Sequence, residues 1–174
     1  MKSNEIIRLV QYPCSRYFEA VSQCVAEIER ENPPEGLLLR KFAGDVRAKS
    51  QEELEEIFTA TFDLDPDCAL EIGWHLFGED RKRGVFLAKV RGELQKAGIT
   101  ETGELPDHVI HILELLPKMD KSAATEFVRS CVLPAITRIS EALEGKESLY
   151  SPVFKTLLAM LAQEYGVTSK GEMP

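Results

Sequence analysis

A chain of 174 residues that is 44% hydrophobic is long enough to bury one sizeable core and short for two independent domains. Its formal charge of −8 and pI near 5.0 exclude a general electrostatic affinity for nucleic acid or anionic lipid, while leaving room for a local basic patch. No stretch reaches the roughly 18 consecutive apolar residues of a membrane span, and the opening MKSNEIIRLVQYP lacks the apolar core of a secretory leader. A cytoplasmic protein without a stable integral membrane segment is expected. Cys14, Cys24, Cys68 and Cys131 form no Cys-x-x-Cys pair, and each falls in or near an apolar helical pattern, where a free thiol packs as a small hydrophobe.

Ser3 or Asn4 can start a short helix through Val10, ended or kinked by Pro13. Cys14, Tyr17 or Phe18, Val21, Cys24 or Val25 and Ile28 then recur at three and four, tracing one buried stripe. Asn32, Pro33 and Pro34 predict a turn, after which Leu38, Leu39, Phe42 and Val46 define another helical face. Ser50 with Glu53 is a capping-box pattern, so a helix starts there with Leu54, Ile57, Phe58, Thr61 and Phe62 inward and the acids Glu52, Glu53, Glu55 and Glu56 largely outward.

Asp65 followed by Pro66 signals a further helix start, and the apolar pattern predicts that this helix runs to a stop at Gly78. Leu70, Trp74 and Phe77 give it a second apolar side, expected of an element central to its bundle or covered by a partner. Glu79 and Asp80 open the next helix in agreement with its dipole, whereas Arg81, Lys82 and Arg83 oppose it and ask for ion pairing, solvent or a partner. Its buried stripe is Phe86, Leu87, Val90, Leu94 and Ala97, with Gly98 as a left-handed cap.

Helix resumes with Val109, Ile112, Leu113, Leu116 and Met119 and ends or bends at Pro117; another begins at Ser122 and is kinked or broken by Pro134 before Gly145; the last runs from Ser151 and Pro152 to Gly166. With no alternating strand and no internal repeat, the expected fold is all-α, a single-domain bundle of roughly seven to nine helices over residues 1–166, with a flexible tail over 167–174.

Three strings at the helix junctions stand out: TFDL at Thr61 to Leu64, HLFGEDRKRG at His75 to Gly84, and ELPDH at Glu104 to His108. Their histidines invite a search for metal chemistry. His108, His111 and Glu114, at offsets of three and six, drift around a helix instead of converging, and His75 with Glu79 would have to add ligands from elsewhere. No HExxH or repeated ExxH signature supports a metal-dependent hydrolase built on His75, His108 and His111. Asp107 and His108 are adjacent, so their side chains leave a helix roughly 100° apart, and no serine or cysteine completes a triad. Their plainer reading is an Asp107 helix cap with His108 bonded to a neighbouring helix end. Neither GxxxxGK[ST] nor GxGxxG is present. No catalytic residue, metal or cofactor is therefore expected.

In this ordered combination, TFDL, then GEDRKRG at Gly78 to Gly84, then Gly98 and ELPDH, together with Leu9, Tyr12 and Pro13 and the continuation Leu113, Glu114, Leu115, the sequence resembles the NarJ-type nitrate reductase assembly chaperones within the TorD/DmsD-like redox enzyme maturation chaperones. The resemblance covers most of residues 5–165. It implies an all-helical chaperone that is no enzyme and binds the N-terminal peptide of an immature molybdoenzyme catalytic subunit, foremost the nitrate reductase alpha subunit, until cofactor enters, with no nucleic acid partner and as a monomer or dimer. Candidate client-binding residues on that reading are Phe58, Asp63, Trp74, His75, Glu79, Asp80, Arg81, Arg83, Asp107, His108 and His111. Departures from the family pattern are Phe58 where tyrosine is usual, Gly73 with Trp74 and His75 in place of a threonine and aromatic-rich sequence, Val109 for leucine, and no long charged tail. A regulatory scaffold whose acidic surface binds a folded protein is the remaining alternative.

Overall fold

The chain wraps nine α-helices around one apolar core among the residues described, 3–167, in a computed structural model. All but the first residue of the expected tail lies outside that range. The elements are α1 (Tyr17–Glu31), α2 (Pro33–Arg47), α3 (Gln51–Phe58), α4 (Ile72–Phe77), α5 (Arg81–Lys96), α6 (Val109–Leu115), α7 (Lys121–Phe127), α8 (Leu133–Gly145) and α9 (Ser151–Tyr165). The all-α expectation holds; the described residues contain no sheet, only a single isolated antiparallel bridge between Glu71 and His108.

The expected first helix is a 3-10 helix, Ser3–Leu9. Its threefold repeat stacks Ile6 over Leu9, and both are fully buried against α1, α6 and α9. In α1 the stripe Tyr17, Val21, Cys24, Val25 and Ile28 is buried as its spacing predicts, but Cys14 precedes the helix and is exposed. Asn32 alone separates α1 from α2, because Pro33 occupies the first helical position, where its missing N–H costs nothing. Leu39, Phe42 and Val46 are buried there, while Leu38, expected to face inward, is 47% exposed. The two helices approach so closely that a Cβ on Gly36 would lie 2.3 Å from the Cα of Glu29.

The capping box forms as the sequence predicts: Ser50 Oγ accepts from the Glu53 N–H at 3.2 Å and a Glu53 carboxylate oxygen accepts from the Ser50 N–H at 2.7 Å. Beyond α3 the helix widens into a π segment, Thr59–Asp63, that carries most of TFDL. Widening keeps Phe58 and Phe62 both buried, their ring centroids 4.9 Å apart, and Phe62 packs 4.7 Å from Tyr150 and 6.0 Å from Phe154. Burying each such ring contributes about 2–3 kcal/mol.

The helix expected from Asp65 to Gly78 is not continuous. Asp65 makes one turn, accepting from the Asp67 N–H through its side chain and from the Cys68 N–H through its carbonyl, and the chain then extends until α4 starts at Ile72. The backbone at 70–72 bonds to the ELPDH segment: Ile72 N–H donates to Asp107 O at 3.0 Å and Val109 N–H to Leu70 O at 2.8 Å. Gly78, at φ 55°, closes α4.

Two further boundaries differ in detail. Asp120, not Ser122, caps α7, its carboxylate accepting from the Ser122 and Ala123 N–H groups. The break required by Pro134 takes the form of a second π segment, Val128–Val132, which loosens the turn ahead of the ring that cannot donate. Gly98 adopts positive φ at the end of α5 as expected, and Gly166, expected as the stop of α9, does so too.

Candidate functional site

The clasp between residues 70–73 and 104–109 places most of the motif residues. Asp107 is fully buried, and its Oδ2 accepts from the Gly73 N–H at 2.8 Å. It therefore caps α4, a helix 34 residues away, instead of its own. The cap of α6 is His108, whose Nδ1 accepts from the Ile110 N–H at 3.2 Å. The two roles expected for this pair are thus exchanged, because the bridge at Glu71 turns Asp107 toward α4. Burial, with His111 alongside, pushes the His108 pKa down to about 4, so the ring is neutral at pH 7 and Nε2 carries the proton.

His111 holds the preceding loop. Its Nε2 accepts from the Thr102 N–H at 3.1 Å, which leaves Nδ1–H to donate to Leu105 O at 2.9 Å. His75 Nε2 lies 2.7 Å from Ala69 O, and burial lowers its pKa. The His108 and His111 rings are 6.2 Å apart, but among the described residues no group of three or more His, Cys, Asp or Glu side chains is arranged to hold a metal ion.

On one side of the clasp lies a cavity of about 180 Å³ that brings together Phe58, Asp63 and His108 of the expected residues and adds Tyr12, Glu71 and Glu104. Tyr12, 51% exposed, meets Phe58 edge-on at 5.3 Å, so an aromatic path runs from the surface through Phe58 and Phe62 to Tyr150 in the core. Burial raises the Glu71 pKa, and neighbouring Asp107 and Glu104 push in the same direction. Three carboxyls beside aromatic faces favour a cationic group with an apolar stem.

Asp107 Oδ1 has no hydrogen-bond partner among the described residues, and burial raises this carboxyl's pKa while Gly73 and Arg83 pull it back. Arg83 stacks over Trp74, its guanidinium carbon 5.5 Å from the ring centroid, and Trp74 Nε1–H donates to Pro66 O at 2.8 Å. Glu79, Asp80 and Arg81 sit exposed at the α4–α5 turn and line neither cluster; Asp80 caps α5 by accepting from the Lys82 N–H at 2.8 Å. Tyr12 and Glu104 were marked by their strings without being singled out, whereas Glu71 was hidden inside a helix the chain does not form.

An all-helical bundle with an acidic, aromatic recess at a backbone clasp has the build of a binding module. A family model described as the nitrate reductase delta subunit matches residues 30–156, well over half the chain. The chain belongs to that family. It is 24% identical over 159 residues to the nitrate reductase molybdenum cofactor assembly chaperone NarJ of Escherichia coli (strain K12), covering 89% of this chain and 67% of that one. It is 28% identical over 113 residues to the probable nitrate reductase molybdenum cofactor assembly chaperone NarJ of Bacillus subtilis (strain 168), covering 64% of this chain and 61% of the relative.

Proposed function

We propose that this protein is a cytoplasmic maturation chaperone that binds the N-terminal peptide of an immature molybdoenzyme catalytic subunit, foremost the nitrate reductase alpha subunit, and keeps it receptive until cofactor is inserted. The names of the relatives in two bacteria support the assembly role, and the observation that carries the binding mode is the cavity lined by Asp63, Glu71, Glu104, Tyr12 and Phe58. A peptide residue with a cationic head and an apolar stem satisfies it: the stem lies along the rings and the head meets the carboxyls. No helix of the described residues is long and apolar enough to cross a membrane.

Asp107 and His108 serve this reading by holding the cavity's rim in place, while Asp63 and Glu104 present charge to the peptide. Calorimetric titration with N-terminal peptides of co-encoded molybdoenzyme subunits tests it. The Asp63→Asn and Glu104→Gln double variant should bind at least about tenfold more weakly with an unchanged unfolding curve. Absence of binding to every such peptide and to the immature subunit would refute the proposal.

A further inference from the structure

We propose a second docking site, in the groove between α5 and the segment from Leu115 to Cys131, for an amphipathic helix of a protein partner that has an apolar ridge and acidic flanks. The groove has a volume of about 660 Å³, and its floor is apolar, formed by Phe77, Phe86, Val90, Met119 and Phe127. Phe86 lies 5.4 Å from Phe77 and 6.2 Å from Phe127, making a continuous aromatic bed. Both walls are helical and the described residues offer no sheet edge, so the complementary element is a helix laying one ridge into the bed.

Gly92 lines the wall on α5, and a Cβ built there would meet nothing within 4 Å. Glycine weakens a helix interior, and packing within this chain gives no reason for it. Close approach of a partner backbone supplies one.

The charge of α5 selects the flanks. The charged groups of α5 that line the groove are Lys89, Lys96 and the acid Glu93, and over its whole length the helix carries six basic residues against that one acid, in a chain of net charge −8. Glu101 occupies Arg91, and Glu93 occupies Lys96 at 2.7 Å on the exposed surface, where such a pair exchanges readily. Lys89, at the groove's edge, has no ion-pair partner among the described residues. The cavity beside Asp63, Glu71 and Glu104 has the opposite sign, so the cationic peptide suited to it is repelled here and the two surfaces recognise different chemistry.

The test uses the full-length protein and fluorescein-labelled model helices of about 18 residues, long enough to span the groove. One has leucines at i, i+3, i+4 and i+7 flanked by glutamates, one has lysines as flanks, and one has the glutamates but serines in place of the leucines. The glutamate-flanked leucine helix should bind alone, and more weakly as salt is raised. Gly92→Leu, which fills the groove from a position with open space, should weaken binding at least about tenfold, as should the Lys89→Glu and Lys96→Glu double variant. Both variants should keep the wild-type affinity for the client peptide, and Gly92→Leu should leave the unfolding midpoint undiminished. Equal binding of the lysine-flanked helix, no binding of any helix, or binding indifferent to Gly92→Leu would overturn the proposal. So would self-association in sedimentation that Gly92→Leu abolishes, which would give the groove to a second copy of this chain.

Discussion

Replacing Gly73 by alanine should destabilise the protein even though alanine is the better helix former. A Cβ at this position would lie 2.6 Å from Asp107 Oδ2 and 2.8 Å from Phe86 Cδ1, and the same Asp107 oxygen accepts the Gly73 N–H at 2.8 Å. The carboxyl cannot retreat without lengthening the bond that caps α4. Overpacking of this kind costs about 1–3 kcal/mol, and loss of a bond to a carboxylate about 1.5–3 kcal/mol. Alanine returns about 1 kcal/mol of helix propensity. A net loss of about 2 kcal/mol lowers the melting midpoint by roughly 4–8 °C in a domain of this size. Gly84→Ala and Gly92→Ala supply the comparison, since a Cβ at either meets nothing within 4 Å and should leave the midpoint unchanged or raise it. Thermal unfolding followed by circular dichroism reads all three. A Gly73→Ala midpoint matching those of the other two would refute the steric argument.

Gly36→Ala should cost more, about 3 kcal/mol or above, because its Cβ would strike the Glu29 Cα at 2.3 Å and backbone cannot swing aside; the urea midpoint measures it. Ser50→Ala removes one half of the capping box and should cost about 1 kcal/mol in the same assay. His108, with a pKa near 4 when folded against an ordinary 6.5, binds fewer protons in the native state than in the unfolded chain. Its contribution is present above pH 6.5 and lost as pH falls toward 4, so wild type should lose up to ~3 kcal/mol relative to His108→Asn, which keeps a cap and does not titrate. Asp107 has the opposite sign: its folded pKa is raised, so its contribution is present below about 3.8 and lost as pH rises through the native value. Asp107→Asn, which retains an acceptor for Gly73, should therefore gain on wild type in urea unfolding as pH is raised from 4 to 7.

The buried stripe of α1, the capping box at Ser50 and the glycine stops at Gly78, Gly98 and Gly166 were legible because each depends on neighbours within one or two helical turns. The π segments were not. Thr59–Asp63 and Val128–Val132 each absorb extra backbone in a turn, and a pattern read at 3.6 residues per turn passes over them, although Pro134 did announce a break. The stretch after Asp65 read as helix because the cap and proline are local signals, while the bonds that pull it straight come from Asp107 and Val109. Histidine is not among the side chains usually looked for at a helix start, so the cap at His108 was assigned to its neighbour. Of the recess, Asp63 and His108 were found from their strings and Phe58 from its place where the resembled family has tyrosine; Glu71 required the fold.

The clasp has a consequence for the order in which the chain becomes competent. Nearly every other backbone bond in the bundle closes within a helix or a tight turn, but Leu70, Ile72 and Gly73 can reach their partners at 107–109 only after a loop of more than thirty residues, containing all of α5, has been closed. Local turns form fast and distant pairings wait on loop entropy. The acidic recess is bounded by both strands of that clasp, so it does not exist until the last long loop shuts. In a stopped-flow refolding experiment, helical signal should recover first and capacity to capture a client peptide should lag behind it. The protein would then reach its own finished state before it could engage an unfinished client; simultaneous recovery of the two signals would show that the recess assembles with the helices.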